Sequence, residues 1–121
     1  MKEKILKIKH INFSMIGPGE WEDTEWNVFD DYTVRIEERF NNRDEIDIKE
    51  KTLTEEEYNR LMDLFTLAKT NTQVVEAYDG DAWEFAQFEN NECIYHRTPN
   101  YTYGLTEFEN LQNFLFTIYN K

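Results

Sequence analysis

The stretch "EAYDGDAWEF", residues 76–85, gathers side chains suited to chemistry: Asp79 and Asp81 flank Gly80, two residues before Trp83. Carboxylates at that spacing fit an acidic metal loop, an acid–base pair, or the edges of a turn. A helix-loop-helix calcium loop needs further oxygen ligands at alternating positions and a glutamate at the twelfth. With Asp79 as the first position, Asp81 is the third, but Trp83 falls at the fifth and Asn90 at the twelfth. That pattern fails. Acid–base work by paired carboxylates stays open to spacing alone, because its partners can come from anywhere in a fold. No glycosidase-like or nuclease-like motif accompanies the pair. Asp-Gly between strand-like runs is a strong hairpin signal, since a type I′ turn needs positive φ at both central positions. The expectation is a turn that coordinates nothing.

Other nucleophiles and ligands are sparse. His10 and His96 are the two histidines, and His96 follows the single cysteine, Cys93, by three residues. Positions three apart on a regular strand point to opposite faces, and zinc wants four protein ligands, or three and a water. A structural His96 and a buried or neutral Cys93 are expected. A Cys93–His10 or Cys93–His96 catalytic pair stays open geometrically, with no family signature to support it. Ser14 lacks the glycines of a nucleophile elbow, and four glycines in all leave little room for a phosphate-binding loop. The expected protein is non-catalytic and carries no cofactor.

Recognition chemistry is better represented. "GEWEDTEWNVFDD", residues 19–31, holds six acidic residues among 13, with Trp21, Trp26 and Phe29 between them. An aromatic anchor among carboxylates suits a basic protein surface, the ring supplying area and the charges steering encounter. Trp21, Glu22, Asp23, Glu25, Asp30 and Asp31 form the candidate contact, with Trp21 expected in a loop. The competing reading makes both tryptophans core and leaves the acids to solvate an edge. Tyr101 and Tyr103, in "RTPNYTYG", line a groove or pack under the second helix.

The whole chain fits this picture. Its formal net charge is −12 over 121 residues, a field that repels nucleic-acid phosphates and anionic membranes and favours basic proteins. Acidity that serves solubility alone is the bland alternative. Residues 20–57 hold 15 acids against five bases, whereas residues 1–9 hold four lysines against Glu3. One cysteine permits no intrachain disulfide, which fits a reducing cytoplasm. The N-terminal "MKEKILKIKHINF" interleaves lysines with apolar residues and reads as a strand, not a signal peptide. No run approaches the roughly 18 apolar residues of a membrane span.

Positioning elements follow from periodicity. Residues 4–16 read as a strand whose apolar residues fall on both parities, Ile5, Ile11, Phe13 and Met15 on one and Leu6 and Ile8 on the other, suggesting a bulge near Lys9-His10 or cover on both faces. Alternation predicts strands near 24–29, 32–40 and 44–51, a meander with turns at Asp30-Asp31 and "FNNRD". "LTEEEYNRLMDLF" shifts to helical period. Thr54 and Glu57 make a capping box, Leu53 and Tyr58 a hydrophobic staple, and Tyr58, Leu61, Met62, Phe65 and Ala68 one face of a helix over about 55–69. "TQVVEAY", "DAWEFAQF" and "CIYHRT" read as further strands. A second helix follows, with Thr106 and Glu109 as its capping box and Phe108, Leu111, Leu115 and Ile118 as its stripe. Whether "LTEEE" and "LTEFE" mark a duplication stays open, since any Thr-capped acidic helix start looks alike.

Strands in runs followed by helices imply one α+β domain over residues 1–121: an antiparallel sheet of five to seven strands with two helices on one side or end. The run "DGDAWEF…YGLTEFENLQNFL" resembles the C-terminal half of small bacterial α+β proteins, in which an Asp-Gly-x-x-Trp hairpin precedes a helix led by Gly-Leu. That resemblance implies a fold and no activity. The leading functional expectation is an acidic, cytoplasmic protein-binding module, an inhibitor or immunity-type partner of a basic target. The rival is a small-molecule-binding or enzymatic domain, with an aromatic pocket between sheet and helices and Asp79, Asp81 or His96 at its rim.

Overall fold

A computed structural model describes residues 2–12, 17–71, 81–98 and 106–121. Six strands and two helices run in the order β1 (Lys4–Asn12), β2 (Trp21–Phe29), β3 (Thr33–Phe40), β4 (Asp47–Thr52), α1 (Glu55–Thr70), β5 (Asp81–Glu89), β6 (Glu92–Arg97) and α2 (Thr106–Tyr119). The strands form one antiparallel sheet in the order β4-β3-β2-β1-β5-β6. The α+β arrangement and the strand count thus match the expectation. β1 pairs with β2 on one edge and β5 on the other, so the N-terminal strand joins the meander to the later hairpin.

Both helices pack on the same face. Leu6, Ile8, Trp26, Val28, Val34, Ile36, Trp83 and Phe85 share that face through the register, and they form one buried cluster with Leu61, Phe65, Phe108, Leu111, Leu115 and Ile118. Each such side chain contributes about 1.5–3 kcal/mol on leaving water. α1 begins as its sequence requires: Thr54 Oγ1 accepts from the Glu57 N–H, and the Glu57 carboxylate accepts from the Thr54 N–H. α2 already includes Thr106, the residue expected to cap it, and residue 105 lies outside the described residues.

Turns account for the reversals. Asn90 and Asn91 both have positive φ, 51° and 67°, giving the two-residue type I′ geometry that joins β5 to β6. Tyr32 also sits at positive φ, 71°, after the Asp30-Asp31 turn, and its ring lies 4.4 Å from that of Tyr58. The backbone there is uncommon for a bulky residue, and ring packing helps hold it. The Asp79-Gly80 turn, the "TQVVEAY" strand, Ser14 and the Tyr101–Tyr103 segment lie outside the described residues.

Two local expectations are corrected. Pairing runs without interruption through Ile8, Lys9 and His10, and the irregularity in β1 falls between Lys4 and Leu6. The apolar parity does not break at His10, because its ring stacks on Trp83 with centroids 4.1 Å apart and fills an apolar place. Trp21 and Glu22 are not in a loop but open β2, the third strand of the sheet. Among the described residues, no helix is long and apolar enough to cross a membrane.

Candidate functional site

One register row explains where the helix-covered face turns polar. Ile36, Trp26, Ile8 and Phe85 are cross-strand partners in sequence along the sheet. One step towards the β1 C-terminus, the row reads Glu38, Thr24, His10 and Trp83. Three of these four are polar, yet all lie on the side that carries α2. The core is therefore closed by apolar side chains in one row and left lined by polar ones in the next.

α2 roofs this row with its last turns and leaves a recess of about 260 Å³. Its walls are Trp26, Phe116, Tyr119 and His10, and Trp21 joins them from the start of β2. A register shift between Trp21 and Asp23 sets two residues of β2 against one of β3. Trp21 and Thr24, three apart, consequently line the same recess, which a regular strand would forbid. The Trp21 indole N–H donates to Thr24 Oγ1 at 2.8 Å, Thr24 donates to Glu38 Oε2 at 3.1 Å, and the Tyr119 hydroxyl donates to Glu38 Oε1 at 2.9 Å. Phe116 meets His10 and Trp26 edge-on, with centroids 6.1 and 6.0 Å apart. Among the described residues the buried Trp26 indole nitrogen has no hydrogen-bond partner, a cost of about 1–3 kcal/mol.

The other face holds a charge lattice. Asp23, Glu25 and Asn27 are buried there. Arg39 Nη1 donates to Asp23 at 2.8 Å, with Lys9 at 3.9 Å. Lys7 lies 3.8 Å from Glu25 and 3.1 Å from Glu84. The Asn27 amide donates to both Glu25 and Glu37, at 2.9 and 3.2 Å. Burial pushes the Glu25 carboxyl up, but the Asn27 amide and the charges of Lys7, Arg39 and Lys9 outweigh it and hold the group below its ordinary value.

The six acidic-stretch residues are accordingly dispersed. Trp21 lines the recess, Asp23 and Glu25 are bound into the opposite face, and Glu22 is exposed. Asp30 and Asp31 occupy the turn at the far end of β2, where Asp30 accepts the Glu3 N–H and Asp31 accepts both the N–H and the hydroxyl of Thr33. Of the rival rim residues, Asp79 lies outside the described residues, as does the Asp81 side chain. His96 is on the face away from the helices, 3.8 Å from Glu84.

Cys93 is exposed, not buried. The β6 register shift pairs Cys93 with Phe88 and His96 with Ala86, so by register the two share a face despite their odd spacing. Among the described residues, no three His, Cys, Asp or Glu side chains are grouped to hold a metal ion. No family model matches the chain, and comparison with curated proteins finds no significant relative.

Sequence reasoning missed Thr24, Glu38, Phe116 and Tyr119, and weighed His10 only as a metal ligand or a catalytic partner of Cys93. A signal did exist: Glu38 stands at the same parity as Val34 and Ile36, so a charge interrupts an apolar alternation. Phe116 also lies off the Phe108-Leu111-Leu115-Ile118 stripe and is 39% exposed.

Proposed function

We propose that this chain is a non-catalytic binding module for a basic protein, and that it grips its partner at the recess between β1–β3 and α2. The observation that carries this reading is the meeting of Trp21, from the acidic stretch, with the Glu38 carboxylate around one aromatic-walled opening. A net charge of −12 supplies the steering field. Asp23 and Glu25 are already paired with Arg39, Lys7 and Lys9, which moves the expected contact from the acidic stretch as a whole to Trp21 and the recess. An inhibitor or immunity-type role against a nucleic-acid-binding effector fits the same chemistry, because such targets carry basic surfaces.

The size of this recess suits one inserted side chain better than a whole small molecule. Ligand sites commonly enclose about 300–1,000 Å³, and about 260 Å³ is better matched to one inserted side chain. The test is affinity capture from the native cell at low and high salt, comparing wild type with Trp21→Ala. The reading expects a basic partner that salt releases and that the variant fails to retain. A partner held equally by both proteins would refute it. Asp23→Lys is a poor probe, since it would oppose Arg39 within the sheet.

A further inference from the structure

We propose that the recess is a guanidinium site, built to take an arginine side chain projecting from a folded or extended protein partner. This rests on the recess being the binding site. The argument begins with the charge state of its surroundings. On the opposite face, Asp23, Glu25, Glu37 and Glu84 each have a lysine, arginine or histidine nitrogen within 4 Å. Glu38 differs. Its partners among the described residues are two neutral hydroxyls, one from Thr24 and one from Tyr119.

Those hydroxyls also set the geometry of what is left. A carboxylate offers about four lone-pair sites, two on each oxygen. Thr24 uses one on Oε2 and Tyr119 one on Oε1, so each oxygen retains one. Paired acceptor sites on the two oxygens match the parallel N–H donors of a guanidinium, which an ammonium cannot engage in the same way. The hydroxyl bonds also fix the carboxylate plane before any guest arrives.

The walls suit the same guest. Guanidinium is weakly hydrated and stacks on aromatic faces, and four of the recess residues, Trp21, Trp26, Phe116 and Tyr119, present aromatic rings. Cations are already drawn to this corner: Lys49 Nζ lies 3.9 Å from the centroid of the Tyr119 ring. An aliphatic arginine stem crossing the aromatic rim would bury apolar area that a free inorganic cation lacks.

The test titrates the intact protein with N-acetyl-arginine methylamide and its neutral isostere N-acetyl-citrulline methylamide, following the tryptophan indole and Phe116 signals by NMR. Free arginine is a third ligand, and Glu38→Gln a comparison protein. The expected result is at least tenfold tighter binding of the capped arginine than of the citrulline compound, with that preference lost in Glu38→Gln. Equal binding of both compounds to the recess would overturn the guanidinium assignment while leaving the recess as a site. No perturbation of the recess by either would overturn both. Free arginine binding tenfold more tightly than the capped form would overturn the protein source. The wild-type arginine–citrulline comparison decides the matter even if Glu38→Gln folds poorly.

Discussion

Tyr119, the last residue of α2, donates its phenolic hydrogen to Glu38 of β3 at 2.9 Å, across 81 positions of sequence. That bond ties the end of the second helix to the row where the core becomes polar, and it orients the Glu38 carboxylate of the recess. Tyr119→Phe removes the donor and leaves the ring. The expected cost is about 1–2 kcal/mol, since the acceptor is charged but partly solvated. Denaturant unfolding of Tyr119→Phe, Glu38→Gln and the double variant checks this: a coupling near zero would mean the bond does not hold in solution.

The opposite face makes a pH prediction. Because Glu25 is held below its ordinary value in the folded protein, its contribution to stability is present above the unfolded pKa, about 4.3. It is lost as pH falls through the lowered folded value. Asn27→Ala removes the amide that donates to Glu25 and Glu37, so the Glu25 titration should move upward, and the acid-side loss should become smaller and reach completion at higher pH. Carboxyl-detected NMR titration reads the shift directly. An unmoved Glu25 midpoint would show that the lysines and Arg39 hold it unaided.

Much of the fold was legible locally. Thr54, Glu57 and the Leu61-Phe65-Ala68 stripe specify α1 within one stretch of chain, and the alternation of Val34 and Ile36 specifies β3. Trp21 and Glu22 were not legible as strand, because their neighbours Asp23 and Glu25 look like loop residues until Arg39, Lys7 and Lys9 arrive from other strands. The recess was less legible still. It depends on three polar residues, His10, Thr24 and Glu38, becoming neighbours through long-range register, and on a β2 irregularity that periodicity does not encode.

The cap of α1 offers a calibrated stability test. Thr54→Ala loses the side-chain acceptor for the Glu57 N–H and should cost about 1 kcal/mol. Thr54→Ser should cost only a few tenths. Thermal or urea unfolding distinguishes the two, and equal losses would mean that the methyl group, not the cap, matters.

The β5–β6 hairpin offers another. Asn91, at φ 67°, occupies a conformation that glycine adopts without penalty and alanine resists. Asn91→Gly should leave stability unchanged or raise it by up to about 1 kcal/mol, and Asn91→Ala should lower it by about 1 kcal/mol. The same unfolding measurements rank the three proteins. An alanine variant as stable as the glycine one would contradict the left-handed turn.

The most direct measurement of where this protein binds is chemical-shift mapping of the labelled chain with a short arginine-rich peptide at moderate salt. The expected perturbations fall on the Trp21 and Trp26 indole N–H groups and on the Phe116 and Tyr119 amides, and they spare Asn27 and Glu84 on the far face. Shifts confined to that far face, or to the exposed acidic start of α1, would contradict the recess as the point of contact.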